Sequence, residues 1–218
     1  MSGGDLKKTF WYILPFASAA VFLAVLYLAN LGPSKQSEAA THDVTLTTTV
    51  LQYLTFDITA GGETVAFGNL TPGTPIKAPA AAVIANVTTN AANGYTLGLS
   101  DGIAATDSSM VHTDTTTHIA DYAGTIATPT SWTGTGVGIT CFAGDHKVTG
   151  TWGTGTTYAD TNNKYAGIPQ TATTAYTATG FTVASDPSSW AFEIDVPNTQ
   201  KTGAYSGNIT FTATAVLT

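Results

Sequence analysis

From residue 44 onward the apolar residues recur at every second position, and that alternation constrains the fold more than any other feature of the chain. Val44, Leu46, Thr48 and Val50 alternate with polar neighbours, and the same parity resumes at Leu54, Phe56 and Ile58. A period of two places alternate side chains on opposite faces of a strand, so this stretch predicts two strands in tandem or one long bent strand. Ala60-Gly61-Gly62 closes it, and Thr71-Pro72-Gly73-Thr74-Pro75 breaks the next predicted strand, over 65–70. Val83, Ala85 and Val87 then face one way, and Tyr95, Leu97 and Leu99 return beyond Ala91-Ala92-Asn93-Gly94. Asn-Gly supplies the positive φ angles of a tight connection, which predicts a β-hairpin.

Near the other end, Trp190, Phe192, Ile194 and Val196 alternate with Ala191, Glu193 and Asp195, predicting one buried and one wet face. A polar loop over 197–203 leads to a final strand whose inner face carries Tyr205, Ile209, Phe211, Ala213, Ala215 and Leu217. No heptad or sustained 3.6-residue pattern follows residue 40. Several short strands, each with one apolar face, must bury it against a second sheet. The expected fold is therefore all-β, an Ig-like or jelly-roll-type sandwich. Between about 102 and 180 the composition turns to Thr, Gly and Ala with scattered aromatics, predicting an elaboration between core strands. Within it, 137–141 predicts one strand and 148–152 another.

Ahead of this body lies an uncharged apolar run, residues 10–31, behind Lys7 and Lys8. A basic start, an apolar stretch and the small residues of Ser37-Glu38-Ala39-Ala40 fit an export signal cleaved after Ala39 or Ala40. The run is also long enough, at roughly twenty residues, to remain as a membrane anchor. In either case the lysines stay inside and the body is expected outside, at the cell surface or beyond. The chain thus divides into 1–39, signal or anchor, and 40–218, a single domain.

Charge narrows the partners. The 218 residues carry a net charge of −7, and every member of the Lys+Arg count of 7 is a lysine. Loss of residues 1–39 removes three lysines and two acids, moving the balance from −7 to −8. Nucleic acid is disfavoured, because neutralising phosphates needs clustered Lys and Arg. A single cysteine, Cys141, excludes an internal disulfide framework, so a hydrophobic core must carry the stability.

The strand over 43–50 has no charge after Asp43, no proline and no glycine, so nothing in it blocks pairing with another chain. The sequence supports two fates for it: pairing within its own subunit, or insertion of Val44, Leu46, Thr48 and Val50 into a neighbour. In the second case it would lie beside the C-terminal strand, with Ile209, Phe211, Ala213 and Ala215 forming the acceptor groove.

The leader, the 43–50 strand, the stretch Ala66-Phe67-Gly68-Asn69-Leu70-Thr71-Pro72-Gly73, the Asn93-Gly94-Tyr95 turn and the ending Val196-Pro197 … Gly203-Ala204-Tyr205-Ser206-Gly207-Asn208-Ile209-Thr210-Phe211-Thr212 resemble secreted β-sandwich surface proteins. These are the camelysin-like biofilm fibre subunits, the archaeal bundling pilus subunits and the spore coat U group. The resemblance covers the two ends of the body, and the 102–180 region departs from it. It implies a homopolymer of identical subunits, assembled by donating an N-terminal strand.

Other chemistries find thinner support. Gly98-Leu99-Ser100-Asp101-Gly102 matches G-x-S-x-G, but that elbow needs a helix after the strand and no helical pattern follows. Cys141 and His146, with His112 and His118 upstream, could suggest a copper loop, yet no methionine follows to serve as axial ligand. Asp107, Asp114, Asp121, Asp160, Asn162 and Asn163 offer hard oxygens for calcium without matching a loop motif. Trp132, Trp152, Tyr158 and Tyr165 open a second class, a surface adhesin or carbohydrate-binding module whose rings stack on cell-wall glycan. Asn69, Asn86 and Asn208 begin glycosylation sequons, and an isopeptide bond between Lys77 and Asn208 is conceivable. No enzyme activity and no cofactor are expected.

Overall fold

The computed structural model describes residues 44–59, 63–103 and 108–217. The apolar run and the cleavage site lie outside them, as does Asp107. Among the described residues no helix is long and apolar enough to cross a membrane.

The body is antiparallel and nearly all-β. One sheet runs β1 (Leu54–Thr59), β2 (Ile76–Thr89), β10 (Thr182–Asp195), β7 (Gly136–Gly144), and a second runs β12 (Thr210–Ala215), β3 (Tyr95–Ser100), β9 (Thr173–Ala178). A small third sheet joins β11 (Tyr205–Ser206), β4 (Ser108–His112) and β5 (His118–Ala120), and a ribbon pairs β6 (Thr130–Ser131) with β8 (Lys164–Tyr165). Val83, Ala85, Val87, Trp190, Phe192 and Ile194 of the first sheet share one core with Tyr95, Leu97, Leu99 and Tyr176 of the second. Trp190 ties the layers together, edge-on to Tyr176 at 6.4 Å and to Phe211 at 5.6 Å. Facing sheets with interdigitating inner side chains are consistent with a β-sandwich.

Five expectations need correction. The Asn93-Gly94 turn forms, with Gly94 at φ 80° and its N–H donating to the Ala91 carbonyl at 3.0 Å. The strands it joins do not pair, however: β2 belongs to one sheet and β3 to the other. Both strands bury an inner face against the same core, and crossing between layers satisfies both, whereas a hairpin would put them side by side in one sheet. A side chain at Gly94 would overlap the Ala178 carbonyl, so glycine is required twice over, for its φ and for its size.

The outer face of β10 is not wet. Ala191, Glu193 and Asp195 are buried, because the central region folds across them. Trp132 stacks on Tyr122 at 4.4 Å and meets Tyr165 edge-on at 5.4 Å, over Gly138, where a Cβ would come within 2.9 Å of the indole. That region is also more than an elaboration, since it contributes the core strands β7 and β9. Residues 148–152 form a single helical turn, α1 (Thr149–Trp152), and not a strand. Finally, residues 65–70 carry no strand, for want of a backbone partner.

Candidate partner-binding cleft

The sequence predicts that β1 and β12 line the core with alternate residues, and they do so incompletely. In β3, Tyr95, Leu97 and Leu99 are fully buried between β12 and β9. In β1, Leu54, Phe56 and Ile58 face inward but stay only half-buried, and so do Phe211, Ala213 and Ala215 of β12. β1 pairs only with β2 and β12 only with β3, so among the described residues each presents an unpaired backbone edge. Between the two edges opens a cleft of about 230 Å³, walled by Phe56, Ile58, Met110, Phe192, Ile209 and Phe211. Its lining is apolar apart from Ser109 and Glu63. A second cavity of about 740 Å³ continues past Val65, Phe67 and Met110 towards Ile119, Ile194 and Val196.

The predicted acceptor residues Ile209, Phe211, Ala213 and Ala215 are therefore half-buried on one inner face, and Ile209 and Phe211 wall the cleft itself. The predicted donor residues behave differently. Residues 44–53 form no strand within the chain, and Val44, Leu46 and Val50 are 80%, 91% and 81% exposed. Thr48 is exposed as well.

Asn90, which no sequence pattern singled out, fixes where β1 begins. Its Oδ1 accepts from the Tyr53 N–H at 2.6 Å, its Nδ2 donates to the Leu51 carbonyl at 2.8 Å, and its own N–H donates to the Tyr53 carbonyl at 3.2 Å. The Thr89 hydroxyl adds a bond to the Tyr53 carbonyl at 2.8 Å. At the same turn the Val216 N–H donates to the Gly94 carbonyl at 2.8 Å, so the start of β1 and the end of β12 are held at one end of the layers.

The other candidate residues are occupied by structure. Cys141 is fully buried with its thiol pushed up to about 12 by burial, and His146 Nε2 lies 3.6 Å from the buried Asp186, whose Oδ2 also accepts from the Tyr95 hydroxyl at 2.8 Å. Burial and the neighbouring Asp186 carboxylate push the Tyr95 phenol upward. His112 Nε2 instead contacts the Thr202 carbonyl, and no group of His, Cys, Asp and Glu that could hold a metal is found among the described residues. Asp114 accepts from Lys201 Nζ at 2.7 Å and from the Thr116 and Thr117 N–H groups. Lys201 and these bonds hold its carboxyl well below the usual range. Asp160 caps the Thr156 and Thr157 N–H groups, and Asp121 accepts from the Ser109 hydroxyl.

Of the four aromatic candidates, Trp152 and Tyr165 are buried, Trp132 is half-buried, stacked on Tyr122 and edge-on to Tyr165, and Tyr158 is half-buried. The rings of Trp132, Trp152 and Tyr165 are thus engaged in packing. Lys77 lies 3.8 Å from Glu193 and donates to the Ala159 and Asp160 carbonyls at 3.2 Å, while Asn208 is exposed, so the imagined Lys77 to Asn208 bond has no support. The serine of G-x-S-x-G, Ser100, is the last residue of β3. Compared with protein-family models, curated proteins and solved structures, the chain matches none of them.

Proposed function

We propose that this chain is the structural subunit of an extracellular filament, an Ig-like or jelly-roll-type sandwich completed by a strand from an identical neighbour. The observation that carries this reading is the apolar cleft between the two unpaired strand edges, β1 and β12. A sheet edge that offers free N–H and C=O groups beside an apolar trough is chemically suited to an extended segment with alternate apolar side chains. Residues 44–50 are such a segment, uncharged and exposed, and leave the body at the Asn90 tether.

The backbone of the incoming segment pairs with β12, and Val44, Leu46, Thr48 and Val50 point into the trough beside Ile209, Phe211, Ala213 and Ala215. Each Val or Leu that becomes fully buried contributes roughly 1.5–3 kcal/mol, and the backbone ladder adds to this against the cost of association. The resemblance to fibre and bundling-pilus subunits leads to the same place, as does the leader that directs the body outward. Neither a reaction nor a cofactor is part of the assignment.

The test is electron microscopy of the purified protein beside a variant lacking residues 41–51. Filaments are expected from the first and none from the second, and filaments that survive the deletion overturn the proposal. A protein that stays monodisperse in both forms and is retained on wall glycan would instead make it a surface-anchored adhesin.

A further inference from the structure

The cleft has a resident. Residues 63–70 run across it, with Val65, Phe67 and Leu70 half-buried against the core and Thr64, Ala66, Gly68 and Asn69 exposed. Val65 and Phe67 are walls of both cavities, so this strip divides what would otherwise be one trough. Among the described residues its backbone makes no hydrogen bond to any strand. It is fixed only at its ends. Upstream, the Thr59 hydroxyl accepts from Asn86 Nδ2 at 2.7 Å, and downstream the Gly73 N–H donates to the Val196 carbonyl at 3.2 Å and to Asp195 Oδ1 at 2.9 Å. Gly68 and Gly73 have φ of +71° and +77°, and a Cβ at either would meet no neighbour within 4 Å, so no side chain locks these two turns of the backbone.

We propose that residues 63–70 are an internal placeholder, which covers the acceptor trough in the single subunit and is displaced when residues 44–50 of a second copy enter. This rests on the reading of the cleft as a donor-strand site. The two segments offer similar chemistry, inward apolar side chains two residues apart, Val65 and Phe67 in the strip and Val44 and Leu46 in the donor, on a backbone uncharged apart from Glu63. They differ in what the backbone gains. A donor beside β12 forms a ladder of hydrogen bonds that the strip does not make, so exchange is downhill once begun. Until then, Val65 and Phe67 shield the apolar wall from water and from stray partners, as an open edge requires.

The test uses the full chain in lipid nanodiscs, with V44S/L46S/V50S so that it cannot donate, and a fluorescent peptide of residues 43–53 as the probe. Anisotropy reports binding, and reaction of an introduced F67C thiol reports the strip, with buried Cys141 as the slow background. Peptide binding should raise the F67C labelling rate several-fold. Peptide association should be several-fold faster to a V65S/F67S form, each variant being checked by its thermal melt. Binding that leaves F67C labelling and the V65S/F67S association rate unchanged overturns the placeholder while sparing the donor site. No binding to any form overturns the donor site and the placeholder with it.

Discussion

The two long margins of the packed sheets are finished in opposite ways. At the β7 margin the backbone is capped: the Ile139 N–H donates to the Ala166 carbonyl at 2.8 Å, the Ala166 N–H returns to Ile139 at 3.0 Å, and the Tyr122 N–H donates to Val137 at 2.8 Å. Trp152 then packs edge-on to Trp190 at 5.5 Å and donates its indole N–H to the Ala175 carbonyl at 3.2 Å, filling the space between the layers. At the β1 and β12 margin nothing comparable happens. The inner side chains there stay half-buried, the edges are unpaired among the described residues, and a cleft remains. One chain therefore contains both a sealed edge and an unsealed one, and its central region closes only the first.

That contrast can be broken by substitution, beginning where the largest loss is expected. Trp152→Ala opens a cavity on the sealed side and should cost about 3–5 kcal/mol in a denaturant melt. Phe211→Ala, on the open side, removes a ring that is only half-buried and should cost about 1–2 kcal/mol while eliminating filaments. An equal loss of stability at the two positions would erase the distinction between the margins. Asn90→Ala removes the tether at the start of β1 and should cost about 1 kcal/mol, with faster amide exchange at Tyr53. V44S/L46S should leave the melt of the single subunit within about 0.5 kcal/mol, because both side chains are exposed, and yet stop assembly.

A smaller effect probes the covered outer face. Burial raises the Glu193 carboxyl above its ordinary range, with Lys77 opposing. A carboxyl that holds its proton more tightly when folded makes the native state bind more protons than the unfolded one, so its contribution to stability falls as pH rises through that interval. Glu193→Gln should flatten the fall of the melting temperature as pH rises above the ordinary carboxyl range of about 4, and an unchanged slope would mean that the face is open to water.

Periodicity made some of this architecture legible in the sequence. The alternation at Tyr95, Leu97 and Leu99 and at Trp190, Phe192 and Ile194 located two core strands, because each inner residue is buried whichever neighbour the strand takes. Pairing was not legible, since a period of two fixes faces and says nothing about which sheet a strand joins. That is why Asn93-Gly94 looked like a hairpin tip and is a crossing between layers. The wet face expected for Glu193 failed for a related reason: its cover, Tyr165, comes from a Thr-rich stretch whose own pattern is weak. That Ile209 and Phe211 face inward could be read from alternation alone, whereas Asn90 and the 63–70 strip could not, one being a lone polar residue and the other an apolar stretch without a backbone partner among the described residues.

The central claim is that the open margin accepts a segment from another copy. Its most direct test mixes two full-length variants, Leu46→Cys in one and Ala213→Cys in the other, under mild oxidation, with buried Cys141 as the inert background. Covalent heterodimers that appear only in the mixture, and disappear when V44S/V50S is added to the Leu46→Cys chain, are the predicted result. A mixture that assembles without forming the cross-link, or that forms none at all under conditions where both thiols react with a small reagent, would contradict the account.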